Sequence, residues 1–307
     1  MDLSARALPE SRPALPAARG SDRLLAWFFV WVWGSGYLAT KTGLHYAAPF
    51  TFLALRFTLA AACLVPVLVL RGVRWPRAPR DWAHLVVAGL LLHAVQLGGS
   101  HYGQYWGISA GIVALLFSAQ PLLTAIIASR WLSERLSAQQ WAGVAIGLAG
   151  VALVVWHRID VHAMSARSLG AVAIGLAGIT AGTLYQRVFC RNADLYSGAF
   201  IQLSAAALAV APLAWGIEGA QIAWSWQLGA ALAYLVILGS ILAFNTLHVL
   251  MRRGQATRVT SLLYLPPVIA VALEYLVFGV SPSALTLAGV AVTCLGVALV
   301  SLGRARA

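Results

Sequence analysis

A few ionisable and polar side chains sit inside otherwise apolar runs: Lys41, Arg56, His93 with Gln96 three residues later, Gln120 beside Pro121, and Glu274. Such groups are costly in an apolar medium unless they face a cavity or a partner, so each is a candidate for chemistry. His93, about halfway along residues 82–102, can bind a carboxylate or take part in proton movement. A core histidine bonded to a neighbour fits the same position. Arg56 lies roughly 9 Å along its helix from Phe50. Its planar guanidinium can clamp a carboxylate through two hydrogen bonds, although arginines there more often tie helices together. Glu274 stands five residues before Gly279, so about 7.5 Å inside the helix end at 1.5 Å per residue. It can attract an ammonium or carry a proton, but its modest depth favours a carboxylate paired with Arg56 or Lys41. Lys41 itself can snorkel outward.

Other residue types supply contacts and breaks. Trp33, Tyr37, Tyr102, Tyr105, Trp106, Tyr185 and Tyr264 lie beside glycines or prolines or near polar residues, where rings can stack on an aromatic solute or hold an ammonium by cation–π attraction. Thr180, Thr183, Asn245 and His248 add polar groups from the second half. Pro121 and Pro266-Pro267 interrupt the fourth and ninth helices and free carbonyls that can meet a solute or permit bending. A packing kink satisfied by neighbouring helices is the plain alternative.

These candidates must be positioned by membrane helices. Hydrophobic residues are 61% of the chain and charged residues 10%, against roughly 25% charged in a soluble domain. A helix needs about 20 apolar residues to cross the hydrocarbon core. Ten segments qualify: 24–43, 50–70, 82–102, 106–129, 139–156, 168–187, 196–215, 227–250, 259–279 and 284–302. The expected fold is an all-α integral membrane protein with small-molecule and lipid partners and no strands. The net charge of +12 does not indicate nucleic acid, because the basic residues sit in short loops rather than on one face. Trp27, Trp31, Trp75, Trp82, Trp131, Trp156, Trp224 and Trp226 read as interfacial or lipid-facing rings.

Orientation follows from the same basic residues. With the N-terminus cytoplasmic, 17 of them fall in inside segments, and the outside loops hold only Arg158 and Arg167. The positive-inside rule therefore places both termini in the cytoplasm of a bacterial inner membrane. Residues 1–23 read as a disordered cytoplasmic tail without a cleaved signal peptide, and 303–307 as a second short tail.

The second half repeats the first at a constant offset of 146. Ala142-Gly143-Val144-Ala145 returns as Ala288-Gly289-Val290-Ala291, and Gly150-Val151-Ala152-Leu153-Val154 as Gly296-Val297-Ala298-Leu299-Val300. Pro66 meets Pro212, Pro121 meets Pro267, and Gly36 meets Gly182. Arg56 meets Gln202, which keeps hydrogen bonding but loses charge and so favours a structural role for Arg56. The two units span 24–156 and 168–302, joined by a periplasmic connector at 157–167. Five spans per unit is odd, so the second unit enters from the opposite side and the repeat becomes inverted. Glycines at near-helical spacing, among them Gly143, Gly147, Gly150, Gly289 and Gly296, read as close-packing positions.

Several stretches resemble the EamA-like proteins of the drug/metabolite transporter superfamily. They are Trp33-Gly34-Ser35-Gly36-Tyr37-Leu38-Ala39-Thr40-Lys41, Pro49 with Leu53-Ala54-Leu55-Arg56-Phe57, and Gly111 through Pro121 to Glu134 with Gly143 and Gly150. The pattern recurs through Tyr264, Pro266, Pro267, Phe278, Gly279, Gly289 and Gly296. The resemblance implies ten helices, a central substrate cavity, and export of amino acids and other metabolites. Trp, Tyr and His in the cavity segments are most similar to YddG-type aromatic amino-acid exporters. One position departs: the family often has Glu after the second Phe-Gly, where this chain has Val280, while the repeat partner is Glu134.

A secondary-active or facilitative exporter is thus the leading expectation, with a broad drug/metabolite efflux carrier beside it. A membrane-embedded enzyme is the alternative of another class. Against it, no HExxH run and no paired mid-membrane carboxylates are present, and adjacent Ser100 and His101 diverge on a helix. Cys63, Cys190 and Cys294 fit no metal spacing. No cofactor and no metal are expected, and a monomer suffices.

Overall fold

The computed structural model describes residues 20–131, 136–160, 164–243, 246 and 265–302. Expectations for the tails at 1–19 and 303–307, and for Glu134, Asn245, His248 and Tyr264, lie outside the described residues. All regular structure among those residues is helical, apart from an isolated bridge between Ala47 and Ile222. Seven helices are long and apolar enough to cross a membrane, and Trp226–Leu242 and Pro266–Phe278 are shorter apolar helices.

In chain order the helices are α1 (Gly20–Gly43), α2 (Pro49–Arg71), α3 (Pro79–Tyr105), α4 (Ala110–Trp131), α5 (Ala138–Asp160), α6 (Ala166–Phe189), α7 (Leu195–Glu218), α8 (Trp226–Leu242), α9 (Pro266–Phe278) and α10 (Ala284–Leu302). Their ends follow local chemistry. Pro49 and Pro79 open α2 and α3, where a missing N–H costs nothing. Asp194 caps α7 through the Tyr196 and Ser197 amides, and Ser165 forms a capping box with Ser168 at α6. α2, α7 and α9 end on left-handed Gly72, Gly219 and Gly279. α5 runs to Asp160, into the expected connector, because nothing in Trp156-His157-Arg158-Ile159-Asp160 breaks a helix.

Three helices depart from regular α geometry. α4 breaks at Ser118-Ala119 and resumes at Gln120, so the interruption precedes Pro121 rather than falling on it. The physical cause is the proline ring, which clashes with the carbonyl one turn earlier. α3 is π-helical over Leu90–Val95, and α8 over Tyr234–Leu242. Adding 146 carries 90–95 onto 236–241, inside the second π segment.

Packing obeys the same offset. α5 and α10 meet along glycines. A Cβ on Gly143 would lie 2.7 Å from the Gly296 carbonyl oxygen, and one on Gly150 would lie 2.9 Å from that of Gly289. Adding 146 to the first member of one pair and subtracting it from the second yields the other pair. α2 packs on α7 around Leu53, Phe57, Ala60, Leu203, Ala206 and Val210. There Thr51 Oγ1 donates to Glu218 at the end of α7, and its offset partner Ser197 donates to the Arg74 carbonyl just past α2. All eight tryptophans expected at interfaces or in lipid are exposed. In lipid, contact quality rather than water exclusion drives such packing, so small residues matter.

The seam gives a test. Gly296→Ala places a Cβ 2.3 Å from the Gly147 Cα and 2.6 Å from the Gly143 carbonyl oxygen. Overpacking of this kind costs about 1–3 kcal/mol. Gly170→Ala in α6 meets nothing within 4 Å and is expected to hold or raise stability. Thermal unfolding in detergent separates them, and equal midpoints would contradict the close seam.

Candidate functional site

The residues singled out in the sequence fall at three heights of the bundle. The end carrying the α1–α2 and α5–α6 links is here the connector end; the opposite one is the termini end.

At the connector end two carboxylates take over the starts of helices. Glu218, the last residue of α7, accepts from the Phe50 amide at 2.8 Å, the Thr51 amide at 2.7 Å, the Thr51 hydroxyl at 2.7 Å and the Tyr102 hydroxyl at 2.6 Å. It supplies acceptors that the first turn of α2, opened by Pro49 after Ala48, lacks locally. Glu274 of α9 is buried and accepts from the Ala110 and Gly111 amides at 2.9 and 2.8 Å. It also takes Lys41 Nζ at 2.7 Å. Of the two partners expected for Glu274, the structure selects Lys41. A helix start favours negative charge, so each carboxylate gains from the dipole as well as from its hydrogen bonds. Gly111 makes room: a Cβ there would lie 2.6 Å from Val271 Cγ2 and 3.2 Å from Glu274 Oε2.

Tyr102 and Trp106 belong to this same end. Tyr102 packs edge-on to Phe50 with centroids 4.9 Å apart and lies 4.7 Å from Trp106, over which Arg167 sits at 3.7 Å. Both rings lie at the connector end.

Tyr185 lies near the termini end. Its hydroxyl is 2.7 Å from His84 Nδ1, and Phe189 stacks on His84 at 4.8 Å. That contact joins the start of α3 to the end of α6.

Between these ends lies the third group. Trp33 is 39% exposed, yet helical spacing puts it on the face of buried Ala26 and Phe29, opposite Trp27 and Trp31. Its partial exposure therefore falls within the packed face of α1 rather than on the face of Trp27 and Trp31. Tyr37, one turn on, is half-buried against the cluster of Ile112, Leu115 and Leu116. His93 meets Phe57 edge-on at 5.9 Å and hydrogen-bonds Gln202. Gln96 and every other residue of 90–97 are half-buried. Gln120 Nε2 donates to Thr124 and Thr183 hydroxyls at 3.0 and 3.4 Å, while Thr180 and Thr183 donate back to their own helix. Pro266 and Pro267 open α9 and are buried.

Sequence reasoning missed Glu218 and His84. Glu218 ends an apolar run beside Gly219 and reads as an ordinary helix terminus; its contacts lie more than 110 residues away. His84 stands in the second turn of α3 and carried no signal beyond its type.

The two carboxylates are separable by mutation. Glu274→Ala leaves Lys41 and two helix-start amides without their acceptor, and is expected to cost about 3–5 kcal/mol. Glu218→Ala, at a partly exposed site, should cost roughly 1.5–3 kcal/mol. Thermal unfolding of each variant in detergent measures this, and a Glu274→Ala protein as stable as the parent would contradict the assignment.

Comparison with known proteins places this arrangement in a family. A model described as the EamA-like transporter family matches residues 23–156 and again 168–302. The chain is 29% identical over 277 residues to the uncharacterized inner membrane transporter YedA of Escherichia coli K12, covering 89% of this chain and 88% of that one. It is 24% identical over 277 residues to a probable amino-acid metabolite efflux pump of Salmonella typhimurium, covering 87% and 90%. It is 24% identical over 269 residues to the uncharacterized transporter YvbV of Bacillus subtilis, covering 86% and 83%. A solved crystal structure at 23% identity superposes with a TM-score of 0.64 over 93% of this chain and 98% of its own, a likeness of fold. With both of its halves matched by the same model, this chain belongs to the EamA-like transporter family.

Proposed function

We propose that this membrane transporter exports amino acids, aromatic and other neutral ones among them, and related small metabolites. Transport runs by alternating access through a central cavity between two repeats. The repeats comprise residues 24–156 and 168–302, five membrane helices each, inserted in opposite senses and joined by the 157–167 connector. Both termini face the cytoplasm of a bacterial inner membrane.

One observation carries this reading: the glycine pairs Gly143–Gly296 and Gly150–Gly289 interchange when the two halves are exchanged. A two-fold relation of that kind gives a bundle two equivalent ways to lean, which alternating access requires. The chain directions agree with it. Lys41 near the end of α1 meets Glu274 near the end of α9, so α1 and α9 finish at one end of the bundle. α10 follows after a short link and finishes at the opposite end, where α1 starts. That arrangement supports both termini on one side.

The substrate class draws support from the inner-facing Trp33 and Tyr37 and from a relative named as a probable amino-acid metabolite efflux pump. Pro121 and Pro266-Pro267, one at each offset position, are the bending points.

Reconstituted protein in liposomes loaded with phenylalanine is expected to show saturable counterflow of labelled phenylalanine, competed by threonine and methionine to different extents. Trp33→Ala should raise the half-saturating concentration about tenfold, the size of one lost aromatic contact. Conversion of the solute without its passage would replace this reading by an enzyme, and non-saturating flux would replace it by a channel.

A further inference from the structure

Arg56 projects from the inward face of α2, among Leu53, Phe57 and Ala60, which are buried against α7 and α8. Its Nε is buried with no hydrogen-bond partner. Among the described residues no carboxylate is in ion-pair contact with it. Its guanidinium lies beside the bare Gly239 of α8, with Nη2 3.9 Å from where a Cβ would stand. Phe57, next to Arg56 in the chain, meets the His93 ring of α3 edge-on at 5.9 Å. Gln202 of α7 also reaches this layer, where it partners His93. The two carboxylates described at the connector end are engaged there by helix starts, Lys41 and Tyr102.

This layer therefore holds a cation, an imidazole and an amide, and among the described residues no carboxylate is in ion-pair contact with the cation. A half-buried guanidinium whose Nε is shielded and unpartnered is a costly intramembrane group, and such a group marks a ligand path by default. The layer is also bracketed by the π-helical turns of α3 and α8, which carry His93 and Gly239. π turns widen a helix and recur at functional sites. His93 and Gly239 differ by the offset of 146, so they hold the same position on the two π-helical turns.

We propose that Arg56 is the anchor for the carboxylate of the transported solute. The site between α2, α3 and α8 selects organic monocarboxylates, with or without an ammonium group, over amines. The guanidinium presents two parallel N–H donors to the carboxylate. Gly239 leaves space for it, and His93, held by Gln202, flanks it. The proposal rests on the transporter reading for its role but not for its chemistry, since the site binds a carboxylate whether or not the solute is an amino acid.

The test is equilibrium binding to the full chain in detergent with four probes: phenylalanine, phenylacetate, isovalerate and phenethylamine. Wild-type protein is expected to bind the aromatic carboxylates at least tenfold more tightly than phenethylamine. Arg56→Gln should abolish that preference by weakening phenylacetate tenfold or more while leaving phenethylamine unchanged. Arg56→Lys keeps charge without the planar fork and should fall between them. If Arg56→Gln does not fold, the wild-type panel and Arg56→Lys still decide. Equal binding of phenylacetate and phenethylamine by wild type, or no saturable binding of any of the three carboxylates, overturns the proposal. Carboxylate binding without phenylalanine counterflow removes the amino-acid reading and leaves the anchor standing.

Discussion

Polar backbone groups released inside an apolar bundle must find partners within the protein, and this constraint organises the whole molecule. Lipid offers no hydrogen bonds, so a helix start shielded from water needs an acceptor from the chain itself. α6, α7 and α8 meet the requirement locally through Ser165, Asp194 and Ser225. α2 has Ala48 before it, which offers no side-chain acceptor. α4 has Ser109, which reaches only the Ile112 amide. Their remaining amides are met by Glu218 and Glu274, carried on α7 and α9. The long-range architecture at the connector end is thus a consequence of two helix starts that their own neighbours do not fully satisfy.

That arrangement has mechanical consequences. Glu218 ties α7 to α2 and α3, and Glu274 ties α9 to α4 and α1. Both contacts span the two halves, so in this state the halves are fastened at the connector end. At the termini end the described links between the halves include no carboxylate: His84 meets Tyr185, and the Ser197 hydroxyl donates to the Arg74 carbonyl. The α5–α10 seam behaves differently from both. Its glycines bring backbone close to backbone, with a Cβ on Gly296 falling 2.3 Å from the Gly147 Cα. Such a seam suits a fixed pivot, whereas the carboxylate contacts can be made and broken.

Much of the fold was legible in the sequence because its signals are local. Proline at first turns, glycine at helix ends and runs of about twenty apolar residues mark the elements, and Trp27, Trp31 and Trp156 mark the outer surface. The offset of 146 was legible too, and the glycine pairs and the two π segments obey it. The height of the aromatic side chains was not legible. Tyr102 and Trp106 look like solute contacts in sequence, but Glu218 and Arg167, distant along the chain, draw them to the connector end. Tyr185 is drawn toward the termini end by His84. For Arg56 the local pattern favoured a tie between helices; whether a counter-charge stands beside it depends on chain folding, and none of the described carboxylates does. π-helical turns carry no composition of their own, so Leu90–Val95 and Tyr234–Leu242 read as plain helix.

The central claim is that two exchange-related halves enclose an inner space that opens at one end as it closes at the other. Spin labels in a cysteine-free background report this directly, one pair at His45 and Ser281 on the connector end, another at Arg77 and Arg191 on the termini end. Addition of a transported solute in lipid is expected to shift the two distance distributions in opposite directions, one widening as the other narrows. Distances that stay fixed at both ends, or that widen together, would contradict the account.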